Sequence, residues 1–361
     1  MEDLHVLDLI NIQSFRGQYS VSFIDDLIEN CSFVVNDHSH YLVDANIARL
    51  YSTKLKKILN LQNTIIIEAT EENKSIEQII PVINKLVKNN IRRDQVIIGI
   101  GGGIIQDITC FIASTLMRGV AWKFIPTTLL AQADSCIGSK SSINLGKTKN
   151  ILGTFNPPDE IFICTSFLDT LEEKEIDSGI GEIIKVHAID SADSYDKISK
   201  DYELIISNRK VLLKYIRNSL LIKQRYIEID EFDKGTRNIF NYGHSFGHAI
   251  ESATNFGVPH GIAVTIGMDM AIYIAHKYRF ISEESFKRMQ PVLKENNKKY
   301  LPIDVPTQLM KVALKKDKKN TAEKLVLILP VGRNCNIERV EIIPDDIFWN
   351  HCKEYLRGIK G

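Results

Sequence analysis

The alternation of short apolar runs with helical periodicity constrains the fold of this chain more than any other feature. Up to about residue 170, β-branched runs such as "NTIIIEA", "DQVIIGI" and "EIFIC" are separated by helical patterns near residues 75–90 and 104–116. The runs "SFVV" and "KFIP" continue the same alternation. Strands and helices that alternate in this way indicate a mainly parallel sheet with crossover helices.

From about residue 173 the pattern changes to long amphipathic segments. We expect helices near residues 180–192, 208–230, 237–254 and 261–278, followed by one late strand-like run, "LVLILPV". A chain of 361 residues is longer than one core usually supports. The sequence therefore predicts an α/β domain over residues 1–172 and a mostly helical domain over residues 173–361, with a cleft between them for a ligand.

The composition excludes several classes of function. Lys plus Arg and Asp plus Glu both total 45, so no long-range field attracts nucleic acid or an anionic membrane. No apolar run approaches the ~18 residues of a membrane span, and "MEDLHVLDLINIQ" lacks the features of a signal peptide. The six cysteines lack CxxC spacing, which is typical of buried thiols. We expect a soluble, cytoplasmic protein.

A glycine-rich turn joins an apolar strand to a helix in "QVIIGIGGGIIQDITCF". Gly101, Gly102 and Gly103 lack a Cβ atom, so backbone N–H groups can approach a phosphate, and the following helix N-terminus favours negative charge. Asp107 could reach a ribose or nicotinamide edge, or it is an ordinary first-turn acid facing the helix dipole. The turn is not the GxGxxG fingerprint, and such turns also serve tight packing. Both interpretations stay open at this point.

The segment "FIPTTLLAQADSCIGSKSSINLGKTKNILGTFNPP" carries cations among small polar residues. Its charged and amide side chains are Asp134, Lys140, Asn144, Lys147, Lys149 and Asn150. Lysines beside Asn, Ser and Gly bind an anion as point charges with little steric bulk. A solvated lysine-rich loop would have the same composition.

Three histidines lie within seventeen positions in "NYGHSFGHAIESATNFGVPHG". His244 and His248 would project from one face of a helix, and a turn after Phe256 could bring His260 back toward them. Neutral imidazoles bind zinc-like ions, although two histidines at this spacing also arise by chance or cap a polar groove.

A catalytic metal site also needs a third protein ligand, for which a carboxylate is a candidate. The segment "SGIGEIIKVHAI" offers Glu182, with Lys185 three residues later on the same helical face. The pair could supply a metal ligand and a neighbouring substrate contact.

Taken in order, the motifs GGGxxxD, MRG, PTTLLAQxDS, GxK, KN, GEIIK, RNIFNYGHSFGHAIE and HG resemble those of the 3-dehydroquinate synthase family of sugar phosphate cyclases. The resemblance extends from about Asp44 to Gly332. It implies a Rossmann-like NAD-binding α/β domain followed by a mostly helical metal-binding domain. It also implies a homodimer, in which Arg118 of "MRG" reaches the substrate phosphate across the interface.

The resemblance assigns roles to individual residues. The ligands of Zn²⁺ or Co²⁺ would be Glu182, His244 and His260. The NAD-binding residues would be Asp44, Asn46, Glu71, Lys74, Gly102, Gly103, Asp107, Thr127, Thr128, Lys149 and Thr170. The substrate-binding and catalytic residues would be Asp134, Lys140, Asn150, Lys185, Lys223, Arg237, Asn241, His248, Arg118 and, from "KKDKKN", Lys318.

The implied reaction is the cyclisation of 3-deoxy-D-arabino-heptulosonate 7-phosphate to 3-dehydroquinate, a step of the shikimate pathway to aromatic amino acids. NAD⁺ takes a hydride from a carbon whose hydroxyl the metal polarises, and the ketone formed acidifies the adjacent C–H. Phosphate then leaves by β-elimination, the hydride returns, and an aldol step closes the ring. NAD is therefore recycled.

Two cations indicate which sugar phosphate is bound. Lys223 and Arg237 stand where dehydroquinate enzymes keep the groups that bind the substrate carboxylate. Three departures from the family pattern indicate a divergent branch and leave a secondary pathway open beside the shikimate pathway: Ile262 in place of Glu in HGEAVA, larger residues at Gln106 and Cys110, and GSK for GGK. A change near His260 would alter metal affinity.

Other functions would explain part of the same motifs. Sister cyclases act on sedoheptulose 7-phosphate, glucose 6-phosphate or an amino-sugar analogue. Metal-dependent glycerol and alcohol dehydrogenases also combine a GGG loop with clustered histidines, but they do not need the elements for phosphate and carboxylate recognition. A non-catalytic descendant would be expected to lose metal ligands, and none of the three is missing.

Overall fold

A computed structural model describes residues 6–24, 38–146, 148–316 and 323–360. The chain divides into two compact units, which we call unit 1 (Met1–Leu171 with Lys223–Phe232) and unit 2 (Glu172–Ile222 with Asp233–Gly361). Within the described residues, no helix is long and apolar enough to cross a membrane.

Unit 1 is built on a seven-stranded sheet. Its strands are β1 (Val6–Ser14), β2 (Gly17–Ile24), β3 (Ser39–Asp44), β4 (Thr64–Ile67), β5 (Val96–Gly101), β6 (Ala121–Pro126) and β9 (Glu160–Ile163). The strand order is β1-β2-β9-β6-β5-β3-β4, and every neighbouring pair except β1 with β2 is parallel. The predicted parallel sheet is confirmed.

Helices and a second hairpin complete unit 1. The helices are α1 (Ala45–Leu50), α2 (Lys56–Leu59), α3 (Ile76–Lys88) and α4 (Gly103–Thr115), and the hairpin is β7 (Lys140–Leu145) with β8 (Thr148–Phe155). Tyr41, Ile100 and Phe167 are fully buried in the core beside the sheet, where each contributes about 1.5–3 kcal/mol. The predicted helices near 75–90 and 104–116 are α3 and α4, whereas "SFVV" lies outside the described residues.

Unit 2 is mostly helical, as predicted. Its helices are α5 (Glu173–Asp190), α6 (Ala192–Ser207), α7 (Arg209–Ile229), α8 (His244–Ala253), α9 (His260–Lys277), α10 (Glu283–Asn297), α11 (Thr307–Lys315) and α12 (Asp346–Lys360), and its hairpin is β10 (Leu325–Val331) with β11 (Asn336–Ile342). The last residues of α7, from Lys223, group with unit 1. Helix α9 is buried from Gly261 to Ile272, and α5, α8 and α10 pack against it.

The prediction of one continuous helix over residues 237–254 is wrong. Thr236–Asn241 forms a 3-10 helix, and α8 begins only after Gly243, whose φ of +76° is left-handed. A Cβ atom on Gly243 would lie 2.5 Å from the carbonyl oxygen of Val264, so this glycine allows the chain to approach α9 closely. The break places His244 at the first position of a new helix.

The cysteines of the described part are buried thiols without a disulfide, as predicted. Burial raises the pKa of Cys110 and of Cys136 to about 12. Neither thiol is therefore a nucleophile at neutral pH.

Candidate active site

Three imidazole rings meet where α8 and α9 begin. His244 and His248 lie one turn apart on α8, and His260 is the first residue of α9. The ring centroids lie 5.3 Å (His244–His248), 5.3 Å (His244–His260) and 5.6 Å (His248–His260) apart. Asn255 and Phe256 have φ values of 50° and 59°, and this left-handed turn brings His260 back to α8.

Helix α5 adds a buried carboxylate to the rings. Glu182 Oε1 lies 3.9 Å from His244 Nε2 and 3.5 Å from His260 Nε2. Glu182 Oε2 lies 2.5 Å from Lys185 Nζ, and both side chains are 2% exposed. The structure therefore joins all three predicted metal ligands, with Lys185 as the counter-ion of the carboxylate.

The protonation of the histidines shows whether this group fits a metal ion. Burial lowers the pKa of His244 well below its usual value, so the ring is neutral. Its Nδ1 lies 3.2 Å from the carbonyl oxygen of Tyr242 and donates to it, which leaves a lone pair on Nε2 facing Glu182. Two acceptor atoms that face each other in a buried site are unfavourable unless a cation lies between them.

The Nδ1 atom of His260 also faces an oxygen acceptor, but this acceptor is a carboxylate in place of a backbone carbonyl. Its Nδ1 lies 3.2 and 3.3 Å from the two carboxylate oxygens of Glu251. Burial lowers the pKa of His260, but the hydrogen bond to Glu251 and the charge of Glu182 outweigh it, so the net direction is upward. In the neutral ring Nε2 is again an acceptor that faces Glu182 Oε1.

The spacing of these atoms also suits a metal. Tetrahedral ligands at Zn–N and Zn–O distances of about 2.1 Å lie roughly 3.4 Å apart. The separations of 3.5 and 3.9 Å from Glu182 Oε1 to the two Nε2 atoms are close to that value. The chemistry and spacing of Glu182, His244 and His260 therefore fit one divalent ion. His248 lies in the same cluster but is exposed at the surface of unit 2.

The residues predicted to bind NAD follow the carboxyl ends of parallel strands in unit 1. Asp44 ends β3 and Asn46 lies on α1; Glu71 and Lys74 follow β4; Gly102 and Gly103 follow β5; Thr127 and Thr128 follow β6; and Thr170 follows β9. These ends lie at one edge of a parallel sheet, where open α/β folds bind their ligands. Two of the predicted residues lie elsewhere: Asp107 is one turn into α4, and Lys149 is exposed on β8.

The turn between β5 and α4 is tightly packed. A Cβ atom on Gly102 would lie 2.9 Å from Cγ2 of Thr128, and one on Gly101 would overlap Ile105. The amide of Thr127 donates to the carbonyl of Gly101 at 3.0 Å. Close packing therefore accounts for these two glycines whether or not a nucleotide binds there.

Asp107 belongs to a polar network. Lys74 Nζ lies 3.1 Å from Asp107 Oδ2 and 2.9 Å from Asn150 Oδ1, and the amide of Ser142 donates to Asp107 Oδ1 at 2.9 Å. Burial raises the pKa of Asp107, while Lys74 and Ser142 oppose the shift. Asp107 is thus more than a first-turn acid, because it belongs to this network. Asn150 was predicted to contact the substrate, but its side chain binds Lys74, which was predicted to bind NAD.

Asp134 and Lys223, both predicted to bind substrate, form an ion pair in unit 1. Lys223 Nζ lies 2.7 Å from Asp134 Oδ1 and 2.6 Å from its carbonyl oxygen. Gln106 supports this region, because it donates to the carbonyl of Ser135 at 2.6 Å and accepts from the Ser135 hydroxyl at 2.9 Å.

The remaining predicted residues lie on other elements of the two units. In unit 2, Arg237 is buried on the 3-10 helix Thr236–Asn241, and Asn241 donates to the carbonyl of Asn238 at 2.9 Å. In unit 1, Arg118 has a left-handed φ of 65° and Lys140 is exposed at the start of β7. Lys147 and Lys318 lie outside the described residues.

The contact between Glu251 and His260 was not predicted. The side chain at Ile262 is fully buried in the apolar core, and the carboxylate beside His260 comes instead from Glu251 on α8. Glu251 lies seven residues after His244 and three after His248, so helical spacing could have placed it on the same face.

Comparison with known proteins identifies the family. Models of the 3-dehydroquinate synthase N-terminal and C-terminal domains match residues 64–178 and 179–320. The 3-dehydroquinate synthase of Thermoanaerobacter sp. (strain X514) is 34% identical over 348 residues, which cover 93% of this chain and 97% of the relative. That of Dictyoglomus turgidum (strain DSM 6724 / Z-1310) is 40% identical over 286 residues, 79% of each chain.

The chain therefore belongs to the 3-dehydroquinate synthase family. It is an enzyme of the sugar phosphate cyclase class, a phosphate-eliminating lyase.

Solved structures share the fold. The 2-epi-5-epi-valiolone synthase of Streptomyces hygroscopicus subsp. jinggangensis 5008, with NAD⁺ and Zn²⁺ bound, has a TM-score of 0.82 and 24% identity, over 94% of this chain and 96% of that one. A 2-deoxy-scyllo-inosose synthase complexed with carbaglucose-6-phosphate, NAD⁺ and Co²⁺ has a TM-score of 0.82 and 21% identity, over 97% of this chain and 100% of that one. An iron-containing alcohol dehydrogenase has a TM-score of 0.61 and 15% identity, over 94% of this chain and 97% of that one. The predicted fold class is confirmed.

Proposed function

We propose that this enzyme is a 3-dehydroquinate synthase, which converts 3-deoxy-D-arabino-heptulosonate 7-phosphate to 3-dehydroquinate and phosphate. The observation that carries the proposal is the convergence of three possible ligands, in which Glu182 Oε1 lies 3.9 Å from His244 Nε2 and 3.5 Å from His260 Nε2. The 34% and 40% identity to two curated 3-dehydroquinate synthases supports the choice of substrate.

Glu182, His244 and His260 would hold one divalent ion, Zn²⁺ or Co²⁺. The residues at the carboxyl ends of β3, β4, β5, β6 and β9 would bind NAD. When both are bound, the ion supplies polarisation of a substrate hydroxyl and NAD⁺ supplies reversible acceptance of a hydride. The bound species in two structures of the same fold, NAD⁺ with Zn²⁺ or Co²⁺, support this assignment.

The chain's own side chains would bind and orient the substrate. Arg237 and Lys223 would bind the carboxylate, since a guanidinium and an ammonium are suited to that group. Asp134, which pairs with Lys223 at 2.7 Å, would orient this ammonium and accept a substrate hydroxyl. His248, exposed beside the metal ligands, would donate to the phosphate, together with Lys140 and Lys318.

We further propose a cytoplasmic homodimer that acts in the shikimate pathway, with Arg118 donated to the phosphate across the subunit interface. Positioning does most of the chemical work in this scheme, because one flexible substrate must be held through successive steps.

The test is an assay of phosphate release with a panel of sugar phosphates, in the presence of NAD⁺ and Zn²⁺ or Co²⁺. We expect turnover of 3-deoxy-D-arabino-heptulosonate 7-phosphate and none of sedoheptulose 7-phosphate or glucose 6-phosphate, which lack the carboxylate. Turnover of either of the latter in place of the former would assign the chain to a sister cyclase, and the proposed substrate would be wrong.

A further inference from the structure

The ring of His260 is supported less by packing than by one hydrogen bond. Its side chain is 37% exposed, whereas the side chains of His244 and Glu182 are 14% and 2% exposed. His260 is the first residue of α9, and three residues separate it from the turn at Asn255 and Phe256, so no preceding helical turn restricts its rotamers. The Glu251 carboxylate, 3.2 Å from Nδ1, restrains the ring on the side opposite Glu182.

The chemistry of that contact decides the tautomer. An ionised carboxylate can only accept, so Nδ1 of His260 must carry a proton. Nε2, which lies 3.5 Å from Glu182 Oε1, is then left with its lone pair toward the metal position. His244 is fixed in the same way, but by a neutral acceptor, the carbonyl oxygen of Tyr242. A charged acceptor strengthens the ligand more, because it makes the opposite nitrogen more basic.

The backbone around Glu251 places its side chain beside the turn. The amide of Phe256 donates to the carbonyl of Glu251 at 2.7 Å, and the hydroxyl of Thr254 approaches the same carbonyl at 3.3 Å. Glu251, whose carbonyl closes the turn, therefore also binds the side chain of His260, the first residue of α9. Glu251 is buried in unit 2, where its charge is screened less by water than at the surface.

We propose that Glu251 is a positioning residue that selects the Nδ1–H tautomer of His260 and so sets the affinity of the metal site. This inference rests on the metal site of the proposed function. Loss of such a partner lowers metal affinity by about 10- to 100-fold without removing a ligand.

The experiment compares Zn²⁺ and Co²⁺ affinities of the full chain and two variants, measured by competition with a chromophoric chelator. Glu251→Gln keeps the shape of the side chain and removes the charge. Asp269→Asn is the matched control, because Asp269 is a buried acid on α9 that accepts from Tyr355 at 2.9 Å. We expect Glu251→Gln to bind one equivalent about 10- to 100-fold more weakly, with a changed Co²⁺ absorption spectrum, and Asp269→Asn to keep the wild-type affinity.

A melting curve of each metal-free protein separates positioning from folding. If Glu251→Gln does not fold, Glu251→Asp keeps the charge but shortens the side chain, and it should weaken affinity while it melts like the wild type. Wild-type affinity in a folded Glu251 variant would overturn the inference and leave the metal site standing. A wild-type chain that binds no metal would overturn the proposed function and, with it, the role of Glu251.

Discussion

At the scale of single residues, the balance of charge around Glu182 decides how the site must be tested. Glu182 and Lys185 form a pair with both side chains 2% exposed. Removing one partner of such a pair costs about 3–5 kcal/mol, because the other charge stays buried. Glu182→Gln also leaves Lys185 without its counter-ion, but it keeps the shape of the side chain and opens no cavity, so it is a better probe of metal binding than a truncation.

We expect the purified wild type to contain one equivalent of divalent metal, and His244→Ala and Glu182→Gln to lose it after dialysis. Two ligands cannot hold the ion against a chelating buffer, because a catalytic site uses three. Elemental analysis measures the content. His276→Ala is the control, since His276 pairs with Glu283 at 2.9 Å outside the cluster. Full retention of metal in both ligand variants would contradict the assignment.

We also expect Arg237→Ala to lower kcat/KM for 3-deoxy-D-arabino-heptulosonate 7-phosphate by about two to three decades. Removing a charged donor from a buried carboxylate costs roughly 2–5 kcal/mol, because the carboxylate stays buried without its partner. Metal content and NAD affinity should stay close to normal, because Arg237 is not among the residues proposed to bind the metal or NAD. Arg288→Ala is a suitable control, because Arg288 forms a half-exposed pair with Asp196. Normal turnover in Arg237→Ala would remove this arginine from the site.

The sequence is enough to propose Glu182, His244 and His260 as one metal site, but it does not give the orientation of their side chains. His244 and His248 are four residues apart on a helix, and the family motifs supplied Glu182 and His260. The contact of Glu251 with His260 depends on the left-handed turn at residues 255 and 256, whose path helical periodicity does not report. The pair of Lys223 with Asp134 joins residues 89 positions apart, and no local pattern predicts such a contact.

At the scale of elements, apolar runs were predicted well and polar strands were missed. Strand β5 and helices α3 and α4 have strong periodicity, and their bounds differ from the predicted ones by only a few residues. The hairpin of β7 and β8 carries many lysine, serine and asparagine side chains, so its composition is that of a loop. The break before α8 was missed because one glycine interrupts an otherwise helical pattern.

That break leads to a prediction for Gly243→Ala. A left-handed φ of 76° disfavours alanine by about 1–2 kcal/mol, and its Cβ atom would also lie 2.5 Å from the carbonyl oxygen of Val264. We expect the free energy of unfolding to fall by more than about 2 kcal/mol, and metal affinity to fall because α8 begins at His244.

Chemical denaturation measures the change, and Gly358→Ala is the matched control. A Cβ atom at Gly358 on α12 meets nothing within 4 Å, so alanine there should raise stability by about 0.5–1 kcal/mol. Equal stability of the Gly243 variant and the wild type would show that the left-handed turn is not required.

At the scale of the whole molecule, one helix supplies residues to both units. Lys223 on α7 groups with unit 1, whereas Arg237, the other cation proposed for the carboxylate, belongs to unit 2. The sequence could not show this, because the helical periodicity of α7 continues through Ile222 and Lys223 without interruption. The formal net charge of zero also means that local cations, not a long-range field, must attract an anionic substrate.

The balance of NAD over a complete turnover distinguishes a cyclase from a dehydrogenase. In the proposed reaction the hydride taken from the substrate is returned before the ring closes, so NAD⁺ is required but not consumed. We expect phosphate release to depend on NAD⁺ while the absorbance of NADH stays far below one equivalent per phosphate. Asp107→Asn should raise the NAD⁺ concentration needed for half-maximal rate, because Asp107 pairs with Lys74 at 3.1 Å among the proposed NAD-binding residues.

One iron-containing alcohol dehydrogenase shares the fold with a TM-score of 0.61, so the same assay must include a polyol such as glycerol. A dehydrogenase passes its hydride to NAD⁺ and releases NADH in each cycle, whereas a cyclase does not. Steady accumulation of NADH with glycerol, without release of phosphate from any sugar phosphate, would contradict the recycling of NAD. NADH that appears only as a small initial burst with the sugar phosphate would instead fit a hydride that leaves the substrate and returns.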